Sequence, residues 1–191
     1  MNIKTILLAV SMVSVIPTAT SCGDTTPEYS KRHCRFVFNT STHAHSAALQ
    51  STLASTGIFC KVTKIIKGGA EHFHFATNQN LEDDVIFTAE DQRTTVLLGG
   101  NNGIYIGYGN LDIPPIFYCY DAECPNCFNP DVVPVKSYPL TVSTSGLARC
   151  ASCKREYNMN TGGNIVKGDK GNKLVRYNAT YNPAGVVVVS N

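Results

Sequence analysis

A chain of 191 residues, 43% hydrophobic, with 16 Lys and Arg against 14 Asp and Glu, can bury one ordinary core. Its near-balanced charge leaves no electrostatic footprint for nucleic acid. The charge is unevenly spread: seven basic residues stand against two acidic ones from Leu147 onward, whereas residues 22–146 carry eight basic and twelve acidic. The C-terminal part therefore offers either a face for an anionic partner or a solvated surface.

The chain opens with Lys4 and an apolar run from Ile6 to Ile16, closed by Pro17 and small polar residues. The run is shorter than the roughly 20 residues of a permanent span, and reads as a signal peptide over residues 1–21. No later segment is apolar enough to span. Ala19, Thr20 and Ser21 before Cys22 resemble the bacterial lipobox, with Ala19 in place of the usual Leu. The resemblance implies an acylated, N-terminal Cys22, a polar tether over 22–30, and a protein lipid-anchored to a membrane of the bacterial cell envelope, outside the cytoplasm. Several acyl chains, at about 0.8 kcal/mol per buried CH₂, would hold it there. Ordinary cleavage nearby, leaving Cys22 a plain thiol, is the alternative.

Residues 31–191 read as one domain. Cys34 to Asn39 alternates as a strand. Ser46 to Thr56 has helical spacing, an N-cap in Ser46 and a stop at Gly57. Ile58 to Ile66 and His72 to Ala76 flank Lys67-Gly68-Gly69, and so predict a hairpin. Further strands are expected at 85–88, 95–98 and 104–108, separated by an acidic loop and the turn residues 99–103, and the Glu82-Asp83-Asp84 cluster reads as a solvated loop. More follow at 116–120, 140–144, 173–181 and 185–190. Many short strands and one brief helix predict an all-β sandwich or barrel.

The main chemical signal is Cys124-Pro125-Asn126-Cys127 and Cys150-Ala151-Ser152-Cys153, with twenty-two residues between the pairs. Two such knuckles on tight loops bring four thiolates to the corners of a tetrahedron, the geometry that suits zinc or a single iron. In an oxidising compartment the same thiols can form two disulfides instead. Neither pair opens a helix, which argues against a thioredoxin-like redox site.

Tyr120-Asp121, Cys124-Pro125, Cys150, Cys153, Tyr157, Thr161-Gly162, Gly168, Leu174, Tyr177 and the Val186 to Val189 strand together resemble a Rieske [2Fe-2S] domain. The likeness covers roughly residues 103–191, and is to small exported lipoproteins with a Rieske-like fold. It implies an antiparallel β-sandwich with two zinc-ribbon-like cysteine knuckles in a subdomain of about residues 117–157. In that family each knuckle supplies one cysteine and one histidine. Carried over, the cysteine ligands fall on Cys124 and Cys150, and the histidine positions hold Asn126 and Cys153. No histidine follows His74, and Lys154 and Arg155 stand where Gly and Ser are usual. The site can therefore be a four-cysteine zinc centre, a four-cysteine [2Fe-2S] or mononuclear iron centre, or a fold that has lost its cofactor.

His43 and His45, and His72 and His74, form two His-x-His pairs. On a strand, His72 and His74 share one face while Phe73 and Phe75 point inward. Cys34 and Cys60 are candidates for a cross-strand disulfide, and Cys119 for a buried thiol. No phosphate loop, nucleophile elbow or paired carboxylates are present. Two functions remain: a non-catalytic membrane-anchored lipoprotein with a binding or envelope role, or an electron-transfer protein docking partners on its basic C-terminal face.

Overall fold

The computed structural model describes residues 27–101 and 103–191; the expected leader and Cys22 lie outside them. In chain order, β1 is Phe36–Asn39, α1 Ala47–Ala54, β2 Cys60–Lys67, β3 Ala70–Thr77 and β4 Glu82–Ile86. The single-turn α2 (Ala89–Arg93), β5 (Ile104–Tyr108) and β6 (Phe117–Asp121) follow. The second half holds β7 (Leu140–Val142), β8 (Leu147–Cys150), β9 (Glu156–Asn158), a 3₁₀ turn at Met159–Thr161, β10 (Asn164–Lys167), β11 (Arg176–Asn182) and β12 (Val186–Ser190). The chain is mostly antiparallel β, as alternation and turn chemistry predict.

The strands form two sheets. An eight-stranded sheet has the order β1-β12-β11-β6-β5-β2-β3-β4, and a four-stranded sheet the order β10-β9-β8-β7. The expected hairpin is β2–β3, paired from Cys60 opposite Thr77 to Lys67 opposite Ala70. Gly68 and Gly69, both at positive φ, make its turn.

The large sheet curls on itself. Phe36 and Phe38 of β1 meet Phe73 of β3 edge-on, with ring centroids 5.4 and 5.8 Å apart, although five strands separate β1 and β3 in the sheet order. Arg35 and Leu97 exchange two backbone hydrogen bonds, 2.9 and 3.0 Å long, and tie the segment after α2 to the free edge of β1. This bridge is what remains of the strand expected at 95–98. The curl closes one core around Leu49, Val62, Phe75, Ile106, Tyr177 and Val187. Each fully buried side chain of this size contributes roughly 1.5–3 kcal/mol.

α1 starts where expected. The Ser46 hydroxyl accepts from Leu49 N at 3.0 Å and donates to Asp83 Oδ1 at 2.6 Å, while Asp83 Oδ2 accepts from Ala48 N at 2.9 Å. A carboxylate against the helix N-terminus is favourable. Its source corrects one expectation: Glu82, Asp83 and Asp84 form no loop but begin β4, with Asp83 opposite Phe75 and Asp84 opposite His74.

The central strands β5 and β6 are buried on both faces. Ile104, Ile106 and Cys119 join the first core; Tyr105, Tyr118 and Tyr120 join a second core with Leu140, Ala148, Tyr157, Met159 and Leu174 from the small sheet and its loops. Each inward tyrosine hydroxyl needs a partner. Tyr105 donates to Leu140 O at 2.9 Å, and Tyr120 to Met159 O at 3.0 Å. These bonds fix the small sheet, and the cysteine loops on it, against the large one. Among the described residues no helix is long and apolar enough to cross a membrane.

Candidate metal centre

The first knuckle leaves the end of β6. Pro125 follows Cys124 at the turn position that its ring pre-sets, and Cys124 O accepts from Cys127 N at 3.2 Å and from Phe128 N at 2.9 Å. The buried Glu123 carboxylate anchors the base of the loop, accepting from Ser137 Oγ at 2.7 Å, from Asn101 Nδ2 at 3.1 Å and from Tyr138 N. The second knuckle is the tip of the β8–β9 hairpin. Cys150 N donates to Arg155 O, and Lys154 N to Cys150 O, both at 3.0 Å. Both pairs thus lie on tight turns and neither opens a helix, as expected.

The four sulfurs converge. The Cys124 and Cys153 sulfurs are 3.7 Å apart, those of Cys127 and Cys150 are 3.8 Å apart, and all four lie within 4.8 Å of one another. Tetrahedral coordination at a metal–sulfur length of about 2.3 Å separates sulfurs by roughly 3.8 Å. A disulfide needs about 2.05 Å, and the four cysteines are unbridged. Cys124 and Cys150 are buried, whereas Cys127 and Cys153 are half-buried and form the outer edge of the site. Among the described residues this is the one cluster of three or more such side chains able to hold a metal ion.

The surroundings differ from ligand to ligand. Burial pushes the Cys124 thiol up to about 12, against the Tyr157 hydroxyl and the Asn126 amide, which lower it. Cys127 is raised by burial and by the thiols of Cys153 and Cys150. At Cys153 burial acts the same way but is outweighed by the Arg155 amide and guanidinium and by the thiols of Cys127 and Cys150, so it falls to about 6. An ion displaces the remaining thiol protons, which couples its binding to pH.

Asn126, at a position where the Rieske resemblance calls for a ligand, serves a different purpose. Its Nδ2 donates to the Tyr157 hydroxyl at 2.9 Å and to Asn172 O at 2.8 Å, and its Oδ1 accepts from Asn172 N at 2.8 Å. The Tyr157 hydroxyl in turn lies 3.4 Å from the Cys124 sulfur. Gly171 is required for this tie: a Cβ there would stand 2.3 Å from Asn126 Oδ1. Tyr157 is among the residues that carry the resemblance, with no role attached to it there; Glu123 and Gly171 support the site without any motif in the sequence to mark them, and only their contacts in the fold do.

The other candidates are not brought to this site. Cys34 and Cys60 are both free. The Cys34 thiol is lowered by a hydrogen bond with Cys119, while Cys60 is raised by burial, against hydrogen bonds with Ala76 and Thr52 that lower it. His72 and His74 share the outer face of β3 with Phe73 and Phe75 inward, as alternation requires. His74 Nδ1 contacts Asp84 Oδ1 at 2.7 Å. His43 stacks on Phe38 at 4.1 Å and places Nε2 2.8 Å from Asp91 Oδ2, while His45 is exposed. Of the C-terminal basic residues, Arg149 and Lys167 flank Glu156 at 3.8 and 3.5 Å, and Arg155 donates to Asp169 O and Lys170 O. Comparison of the chain with protein-family models, curated proteins and solved structures found no match.

Proposed function

We propose that this chain is an exported, lipid-anchored protein of the cell envelope whose Rieske-like β domain is held by one structural zinc and serves a non-catalytic binding role. The observation that carries the metal is the convergence of Cys124, Cys127, Cys150 and Cys153, with sulfurs 3.7 and 3.8 Å apart across the two knuckles. A binuclear cluster interposes two irons and two sulfides, so thiolates on opposite irons stand farther apart than thiolates sharing one ion; a cluster spanning at most 4.8 Å fits the single ion. Four protein ligands fill a tetrahedral zinc and leave no position for water or substrate, which is the pattern of a structural site. The Rieske-like reading is supported by two knuckles carried at the end of β6 and on a small antiparallel sheet stacked against a larger one. The anchor reading is supported by the residues around Cys22.

A mononuclear iron is the second reading, favoured by the half-buried Cys127 and Cys153 beside Arg155, an edge open to an anionic redox partner. Elemental analysis of the purified full chain, with thiols counted before reduction, separates the two. One zinc per chain and no visible absorption are expected. A visible band that bleaches on reduction would establish iron, and two disulfides with no metal would sink both readings.

A further inference from the structure

Loop 109–116, between β5 and β6, presents Leu111, Ile113 and Ile116 to solvent; Ile113 is 100% exposed and Leu111 62%. The beginning of the described chain runs beside this loop. Ser30 N donates to Arg176 O at 2.8 Å, and the Arg176 guanidinium pairs with Glu28 at 2.7 Å. The same guanidinium lies 5.1 Å from the ring centre of Tyr29 and 4.6 Å from that of Tyr118. Tyr118 then donates its hydroxyl to Asp112 Oδ2 at 2.7 Å, and Asp112 sits between Leu111 and Ile113. An unbroken line of contacts thus joins residue 28 to the apolar loop.

The distance back to the anchor is short. Only four residues lie between Cys22 and Pro27, a reach of at most about 18 Å over five steps. The same neighbourhood offers the half-exposed Tyr29 ring, and Lys31 and Lys173 line the adjoining groove. Aromatic rings and lysines at the depth of the headgroups, next to an apolar projection, are what a bilayer surface accepts.

We infer that loop 109–116 enters the interface of the membrane that holds Cys22, with Leu111, Ile113 and Ile116 among the upper acyl chains, so that the body lies against the bilayer at this loop. The inference rests on the lipid-anchored reading of Cys22. A partner of this chemistry removes the exposed apolar patch from water and needs no further ligand.

The chain contains no tryptophan, so Ile113→Trp introduces a single reporter at a fully exposed position where folding is not at stake. The full lipidated chain is placed on vesicles of phosphatidylethanolamine and phosphatidylglycerol, with or without brominated acyl chains. Emission from Ile113→Trp is expected to shift to the blue and to fall by roughly half or more on the brominated vesicles, as for a side chain at the headgroup–acyl boundary. Ile66→Trp is the control, because Ile66 is 80% exposed on β2 beyond Val62, which pairs with Ile104 at the far end of β5 from the loop; its emission should not change. Flotation of the vesicles reports the anchor separately. A chain that floats while the Ile113→Trp indole keeps its solvent spectrum, or shifts without quenching because protein covers it, overturns the inference and leaves the anchor standing. A chain that does not float overturns the anchor reading and the inference with it.

Discussion

Lys154 follows the last ligand of the second knuckle with φ at +61°, a region where a Cβ crowds the backbone and glycine does not. Its side chain is exposed, so little packing offsets that strain. Lys154→Gly should therefore raise stability by about 0.5–1 kcal/mol with the metal content unchanged, as read by urea unfolding and elemental analysis. A second residue-scale prediction concerns the buried thiols. Cys34 and Cys119 are both buried in the large core, and a hydrogen bond with Cys119 lowers the Cys34 thiol. Treatment with a two-electron thiol oxidant should cross-link Cys34 to Cys119, detected by peptide mapping; a Cys34–Cys60 peptide would contradict the structure. The partner of Cys34 was not legible in the sequence, because it depends on how the sheet curls and not on spacing along the chain.

β4 shows how an element is held at a sheet edge and what that does to pH dependence. Asp84 accepts from Lys67 Nζ at 2.6 Å and contacts His74 Nδ1 at 2.7 Å. Lys67 first, and His74 second, hold its carboxyl below its ordinary value of 3.8. A carboxyl lowered in the folded state stabilises it fully above that value, and the contribution is lost as pH falls through the folded value. Asp84→Asn should thus cost a few tenths to about 1 kcal/mol at neutral pH, since the pair is partly exposed and screened. The difference between parent and variant should vanish in strong acid. Unfolding curves at both extremes check this; a constant difference would remove the ion pair as its cause. The β2–β3 hairpin was legible because apolar residues alternate on either side of Lys67-Gly68-Gly69. Of β4 only Val85 and Ile86 were legible, within the strand expected at 85–88, because on an edge strand the acidic residues that cap α1 and pair with His74 hide the alternation at its start. β8, β9 and β10 are not legible, because each is only three or four residues long and Arg149, Glu156, Asn158, Asn164 and Lys167 leave no apolar run to mark them. The four ligands were legible because their spacing is itself the signal; Glu123 and Gly171 carry no local signal at all.

Across the whole molecule the two sheets differ in what holds them. The large sheet surrounds a core of aromatic and branched side chains contributed by α1 and by strands from both ends of the sheet. The small sheet has four strands of three or four residues each, short of what sustains a sheet alone. Its stability comes from Tyr120, Tyr157 and Met159 behind it and from the knuckles at its edge, where Cys124 and Cys150 are counted in the second core. A metal ion there binds the end of β6 to the β8–β9 hairpin, so its binding energy acts as folding energy for the small sheet. Removing it leaves thiols raised by burial, as at Cys124, with no ion to face. Chelation should therefore loosen the molecule unevenly. Amide hydrogen exchange is expected to accelerate at least tenfold in β8, β9 and β10, since even about 1.4 kcal/mol of lost local stability produces that change. Protection in β2, β3, β11 and β12 should persist, because their pairing and core do not involve the knuckles. Equal loss of protection in both sheets would mean that the ion holds the whole domain, and no loss anywhere would mean that it holds neither sheet.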